Sequence, residues 1–173
     1  MIKWGILISG RGSNLQTAMD WDDRVLIDTV CSNKIAAPGL GKAKRSGRIF
    51  LAHSAAPTNW AALQNLLVAR GIQKIFLLGF MKLIPESFVD FWTGKMFNVH
   101  PSLLPKHAGL HGLEKGWESG DQLGVTVHHV TFEMDAGSPV HQGTYSRLST
   151  NFKKIVRRNA WMERRLISEV LCR

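Results

Sequence analysis

The apolar run Trp4 to Ile8 stops at Ser9-Gly10-Arg11-Gly12-Ser13. A buried strand that feeds a glycine-rich turn and then a helix opens many α/β domains. The rest of the chain repeats that alternation. Strand-like runs cover Arg24 to Cys31, Ile49 to Ala52, Lys74 to Gly79, Met96 to Val99, Gly124 to Val130 and Pro139 to Ser146. The segment KIFLLG at 74–79 is almost continuously apolar, as expected of a central strand covered on both faces. Helical patterns cover Asn14 to Met19, Gly39 to Ser46, Trp60 to Arg70, Pro85 to Trp92 and Gly112 to Ser119. In the third of these, Leu63, Leu66, Leu67 and Arg70 recur at spacings of three and four after Pro57-Thr58-Asn59, and Gly71 stops it. A long C-terminal helix, capped by Ser149 or Thr150, runs towards Leu171. The expectation is an open, mostly parallel sheet with helices on both faces, and a ligand outside the carboxyl ends of the strands.

With 173 residues, 45% hydrophobic and 20% charged, the chain reads as one globular domain over residues 1–173. Cys31 and Cys172 offer neither a disulfide framework nor a metal cluster. No run of 18 apolar residues suggests a membrane span, and the start is too short for a signal peptide, so a cytoplasmic protein is expected. The net charge of +9 favours an anionic ligand.

Three segments carry chemistry. Gly12, Ser13 and Asn14 stand between the first strand and the first helix, where bare N–H groups and the positive helix end suit phosphate. The same stretch also reads as an ordinary turn with an Asn or Ser cap. It is not a Walker A loop, and Leu15 stands where a dinucleotide fingerprint needs a third glycine. Asn98 and His100, two apart on a strand, project to one side at its carboxyl end. An amide beside an imidazole can stabilise an oxyanion, although strand ends also use such residues for capping. Asp135, in the turn Met134-Asp135-Ala136-Gly137, could hold a histidine charged and accept a proton, or could simply form the turn.

The seven histidines show no metal spacing, and none of the residues suggests a metal site; His128 and His129 should point to opposite faces of a strand. The last 25 residues hold seven basic and two acidic side chains. Leu148, Phe152, Ile155, Val156, Met162, Leu166, Ile167 and Val170 give that helix an apolar face. A solvated amphipathic helix is the plain reading. Nucleic-acid binding is the sharper one, but the sequence shows no basic groove interleaved with aromatics. Steering of phosphorylated small molecules also fits.

The stretches ILISGRGSNLQ, CSNK, LLGFMKLIP, NVHPSLLPKHAGLHG, GVTVHHV and MDAGSPVHQ, spanning residues 6–142, together resemble the phosphoribosylglycinamide formyltransferases of purine synthesis. The resemblance implies a Rossmann-like sheet and transfer of a formyl group from 10-formyltetrahydrofolate, as co-substrate, to the amine of glycinamide ribonucleotide. It implies Asn98, His100 and Asp135 as the catalytic trio and Gly12, Ser13 and Asn14 as the phosphate site. Met81 and Glu163 fall at further substrate positions. Lys82, Leu83, Ile84, Val130, Thr131 and Met134 fall along the folate pocket, and His111 and Thr126 behind the catalytic histidine. No metal or membrane is implied, and a monomer or homodimer is expected. The chain departs from the family pattern at Lys82, where Arg is usual, Ser138, where Gly is usual, and His141, where an apolar residue is usual. The stretch between Gln142 and the last helix is compressed. Alternatives within reach of the same motifs are a methionyl-tRNA or sugar-nucleotide formyltransferase, a formyltetrahydrofolate hydrolase, and a non-catalytic relative that binds nucleic acid.

Overall fold

The computed structural model describes residues 1–20, 25–46, 53–54, 59–147 and 149–172. Its elements are β1 (Lys3–Ile8), α1 (Ser13–Met19), β2 (Leu26–Ser32), α2 (Pro38–Arg45), β3 (His53–Ser54), α3 (Trp60–Ala69), β4 (Lys74–Leu77), α4 (Glu86–Phe91), β5 (Met96–His100), α5 (Gly112–Ser119), β6 (Leu123–His129), β7 (Pro139–Tyr145) and α6 (Phe152–Leu171). The strands form one sheet in the order β3-β2-β1-β4-β5-β6-β7. The pairs from β3 to β5 are parallel, whereas β5–β6 and β6–β7 are antiparallel. The strand order reverses between β1 and β4, the switch point at which open α/β sheets bind ligands.

Side chains alternate across the sheet, so each strand feeds two cores. On one face Trp4, Ile6, Ile8, Phe76 and Phe97 pack against Leu15, Ala18, Ala43, Met162, Leu166 and Ile167 of α1, α2 and α6. On the other, Leu7, Ile75, Leu77 and Met96 pack against Leu63, Leu67, Phe88 and Val89 of α3 and α4. Burial on both faces explains why the central strands read as unbroken apolar runs.

Several local expectations are revised. Asn151, not Ser149 or Thr150, caps α6: its side chain accepts from the Lys153 N–H at 3.0 Å, while Ser149 Oγ accepts from Asn151 N. Gly12, not Asn14 or Ser13, is the N-cap of α1, and it uses no side chain. Its φ of +66° suits glycine, and a Cβ there would stand 2.8 Å from Gly39 Cα. Val156 lies on the outer side of α6 rather than in its apolar face. The expected strand at 49–52, Pro57, Thr58 and Leu148 lie outside the described residues.

Asp28 of β2 ties the first layer together. It accepts from Arg70 Nη2 at 2.9 Å and from Arg70 Nε, with Lys3 Nζ at 3.5 Å and the Thr29 hydroxyl at 2.6 Å. Burial pushes its carboxyl up, but the hydrogen bonds from Arg70 and Thr29 and the charges of Arg70 and Lys3 outweigh it and set the pKa below the ordinary range. A lowered folded pKa gives stability that is present above the unfolded value near 4 and lost as pH falls through the folded one. Asp28→Asn should therefore cost about 2 kcal/mol at neutral pH. Chemical denaturation of both proteins should show that difference shrinking at strongly acid pH.

Candidate active site

Strand β5 ends beside the switch point, and its register with β6 sets the reacting groups. Asn98 pairs with His128 and His100 with Thr126. Side chains of residues 98, 100 and 128 therefore share a face, while His129 turns to the other face, over Phe97. The segment after β6 then folds back over them. Gly137 permits that reversal, because a Cβ there would lie 1.7 Å from the His129 carbonyl oxygen. Asp135, at φ +55°, is delivered to the centre.

The Asp135 carboxylate lies between two imidazoles. Oδ2 is 3.2 Å from His100 Nδ1 and accepts from the Gly109 N–H at 2.9 Å. Oδ1 is 3.4 Å from His128 Nε2 and 3.4 Å from Asn98 Nδ2. All three ionisable side chains are below 10% exposed. Burial pushes the Asp135 carboxyl up, but the hydrogen bond from His128, the charge of His100 and the Gly109 N–H together draw it below its usual value. It is thus an anion at neutral pH.

The remaining ring nitrogens fix the tautomers. His100 Nε2 faces the His107 carbonyl at 3.0 Å and His128 Nδ1 faces the His129 carbonyl at 2.8 Å. Each of those nitrogens must carry hydrogen. His100 Nδ1 then faces a carboxylate, so its contacts are complete when both nitrogens are protonated. His128 Nε2 can accept from Asn98 Nδ2 at 3.3 Å, which aims the carboxamide nitrogen into the centre. The trio anticipated from sequence is thus brought together, and His128, Gly109 and His107 are additions. The signal for His128 lay in the strand alternation, which places it on the Asn98 face.

Thr126 is fully buried behind His100; it donates to the Ser102 carbonyl at 2.7 Å and accepts from Leu104 N at 3.0 Å. His111 is exposed at the N-cap of α5 and has no side-chain hydrogen bond among the described residues. The loop of 101–111 is pinned elsewhere. His107 Nε2 is 2.8 Å from Asp121 Oδ2, and Lys106 and Ser119 also bond Asp121. Hydrogen bonds from Lys106, His107 and Ser119 hold the Asp121 carboxyl down to about 2.

At the other end of the crevice, Ser9 Oγ accepts from Met81 N at 2.7 Å, joining the loop after β1 to the loop after β4. Met81, Lys82 and Leu83 are exposed on that loop, and Ile84 is half-buried. Val130 is half-buried, and Thr131 and Met134 are exposed after β6. Leu110 and Phe132, not singled out from sequence, add to this exposed apolar rim. The α1 N-terminus leaves the amides of Ser13, Asn14 and Leu15 without helical partners. Lys42 reaches the same turn, 3.3 Å from the Gly12 carbonyl. Asn14 Nδ2 donates to Glu163 Oε2 at 2.8 Å, and Asn159 donates to Glu163 Oε1 at 2.8 Å. Burial pushes the Glu163 carboxyl above its ordinary value despite those two bonds. Among the described residues no group of three or more His, Cys, Asp or Glu could hold a metal ion.

A central anion flanked by imidazoles, a carboxamide and a phosphate-sized turn is a centre for polar group transfer. The chain belongs to the formyl transferase family, whose model matches residues 2–171. Within that family its branch is the phosphoribosylglycinamide formyltransferases. The Haemophilus influenzae enzyme of that name is 39% identical over 152 residues, which are 82% of this chain and 72% of the relative. The human trifunctional purine biosynthetic protein adenosine-3 is 39% identical over 147 residues; the match covers 79% of this chain and 15% of that protein. The crystal structure of glycinamide ribonucleotide transformylase 1 from Symbiobacterium toebii superposes with a TM-score of 0.89 at 32% identity, covering 99% of this chain and 86% of the other. The sheet and the C-terminal helix are therefore those expected from the sequence.

Two measurements test the geometry. Asp135→Asn keeps the shape but removes the anion, and should lower kcat by about 100- to 10,000-fold. Asp121→Asn should lower kcat by about tenfold with KM unchanged, because it frees His107, whose carbonyl orients His100. Steady-state kinetics on both variants would check this.

Proposed function

We propose that the chain transfers the formyl group of 10-formyltetrahydrofolate to the primary amine of glycinamide ribonucleotide, and that residues 1–173 act as one catalytic domain. The observation that carries this reading is the Asp135 carboxylate set between His100 and His128, with the Asn98 carboxamide beside it.

In the reaction the amine nitrogen bonds to the formyl carbon, and negative charge develops on the formyl oxygen. Asn98 Nδ2 has a second hydrogen for that oxygen, and the charged His100 supplies the opposing field. His100 Nε2–H is held by the His107 carbonyl at rest and exchanges that acceptor for the oxyanion. Asp135 maintains the imidazolium and relays, through water, the proton that leaves the amine. That proton ends on the folate nitrogen as its bond to the formyl carbon breaks. Atoms and charge balance without a covalent enzyme intermediate.

The substrate phosphate is assigned to Gly12, Ser13 and Asn14, with Lys42 adding a cation on the same turn. Met81 and Glu163 border the nucleotide. The exposed apolar side chains of Leu83, Val130 and Met134, with Lys82, Ile84 and Thr131, border the flat folate ring. His111 and Thr126 stand behind His100, Thr126 by holding the 102–104 backbone.

The test is formyl transfer with and without glycinamide ribonucleotide. Turnover should require the nucleotide and fall by about 1,000-fold in His100→Ala. Folate turnover without the nucleotide would instead mark a hydrolase. Lys42→Ala should raise KM for the nucleotide by about tenfold and leave kcat intact.

A further inference from the structure

Helix α6 places its charge on one side. Lys154, Arg157, Arg158, Arg164 and Arg165 are all exposed, and Trp161, 57% exposed, sits in the middle of the row. At spacings of three and four these residues form a stripe about 16 Å long. The two acids of the helix do not neutralise it. Glu163 is turned inward to Asn14 and Asn159, and Glu169 is taken by Arg165 and His141.

Beside the stripe, α6 and the end of β7 enclose an open groove of about 520 Å³. Thr144, Tyr145, Ser146, Arg158, Trp161 and Arg165 line it together with Met162. Arg158 Nη1 donates to the Ser146 carbonyl at 2.9 Å, which braces its guanidinium at the groove wall. The Arg165 guanidinium stands 5.9 Å from the Trp161 ring centre, so the exposed indole is flanked by cations. The sequence showed no basic groove interleaved with aromatics; the fold builds one by bringing Tyr145 of β7 against a helix 16 residues further on.

We propose that this groove binds single-stranded nucleic acid, with a base on Trp161 and backbone phosphates on the arginines of α6. Basic grooves carrying an exposed aromatic bind single strands by stacking and phosphate contact. The other occupants fit less well. The apolar face of α6 is spent on the core through Ile155, Met162, Leu166 and Ile167, so no apolar face remains for a lipid surface. A second copy docked on this face would bring two cationic stripes together. The groove is also open along the helix, which suits a chain better than an enclosed mononucleotide.

The test is fluorescence anisotropy of a labelled short oligouridine at about 50 and 200 mM salt. Trp161→Ala should weaken binding by about tenfold. Arg158→Ala with Arg165→Ala should weaken it and lower the salt slope by about 1.4. Both should keep the far-UV circular dichroism and formyl transfer of the parent. Lys44→Ala with Arg45→Ala, which removes two exposed cations of α2, should change binding little. Four outcomes would overturn the proposal: no binding by the parent, no effect of Trp161→Ala, equal loss in the α2 variant, or a duplex of the same length bound as tightly. Displacement by AMP would identify a mononucleotide site instead, and binding to phosphatidylserine vesicles but not oligouridine would identify a membrane surface. The readout is binding, so it is independent of whether formyl transfer is detected.

Discussion

One buried anion organises the centre. Asp135 draws His100, His128, Asn98 and the Gly109 N–H onto two oxygen atoms. Leaving such a carboxylate without partners inside a protein costs several kcal/mol, so each partner is held as firmly as the carboxylate itself. The antiparallel turn of β6 and β7 at the end of a parallel sheet makes this arrangement accessible. It lets the chain come back along the face of β5 within nine residues, which a parallel crossover could not do.

Behind the reacting groups stand two supports of different kinds. One is backbone geometry: Thr126, opposite His100 in the sheet register, fixes the segment 102–104 from beneath. The other is electrostatic: Asp121, on the far side of α5, holds His107 and through it the acceptor for His100. The far end of the crevice uses a third device, in which Asn14 and Glu163 join the first and last helices across the sheet edge.

Much of this was legible in the sequence, for identifiable reasons. Strand periodicity and apolar runs reported the sheet, because burial on both faces leaves no polar alternation in KIFLLG. Asn98 and His100 were legible as a pair through the two-residue repeat. What stayed hidden depends on contacts between segments distant in sequence. The reach of Asp135 to His100 needs the reversal at Gly137, and the inclusion of His128 needs the β5–β6 register. Lys42 arrives only because α2 packs beside the first turn. The Asn151 cap was missed because three neighbouring polar residues, Ser149, Thr150 and Asn151, all suit the role, and only geometry selects one.

Three residues without glycine's freedom adopt left-handed backbone around the centre: His107, His111 and Asp135, at φ +55°, +61° and +55°. Such conformations cost an L side chain of this kind on the order of 1 kcal/mol each. Glycine would relieve that cost at all three positions. At His107 it would release the Asp121 anchor, and at Asp135 it would dismantle the centre. Thermal robustness and turnover therefore pull in opposite directions on this rim. A search for hardier variants that scored only melting temperature would be drawn towards inactive ones.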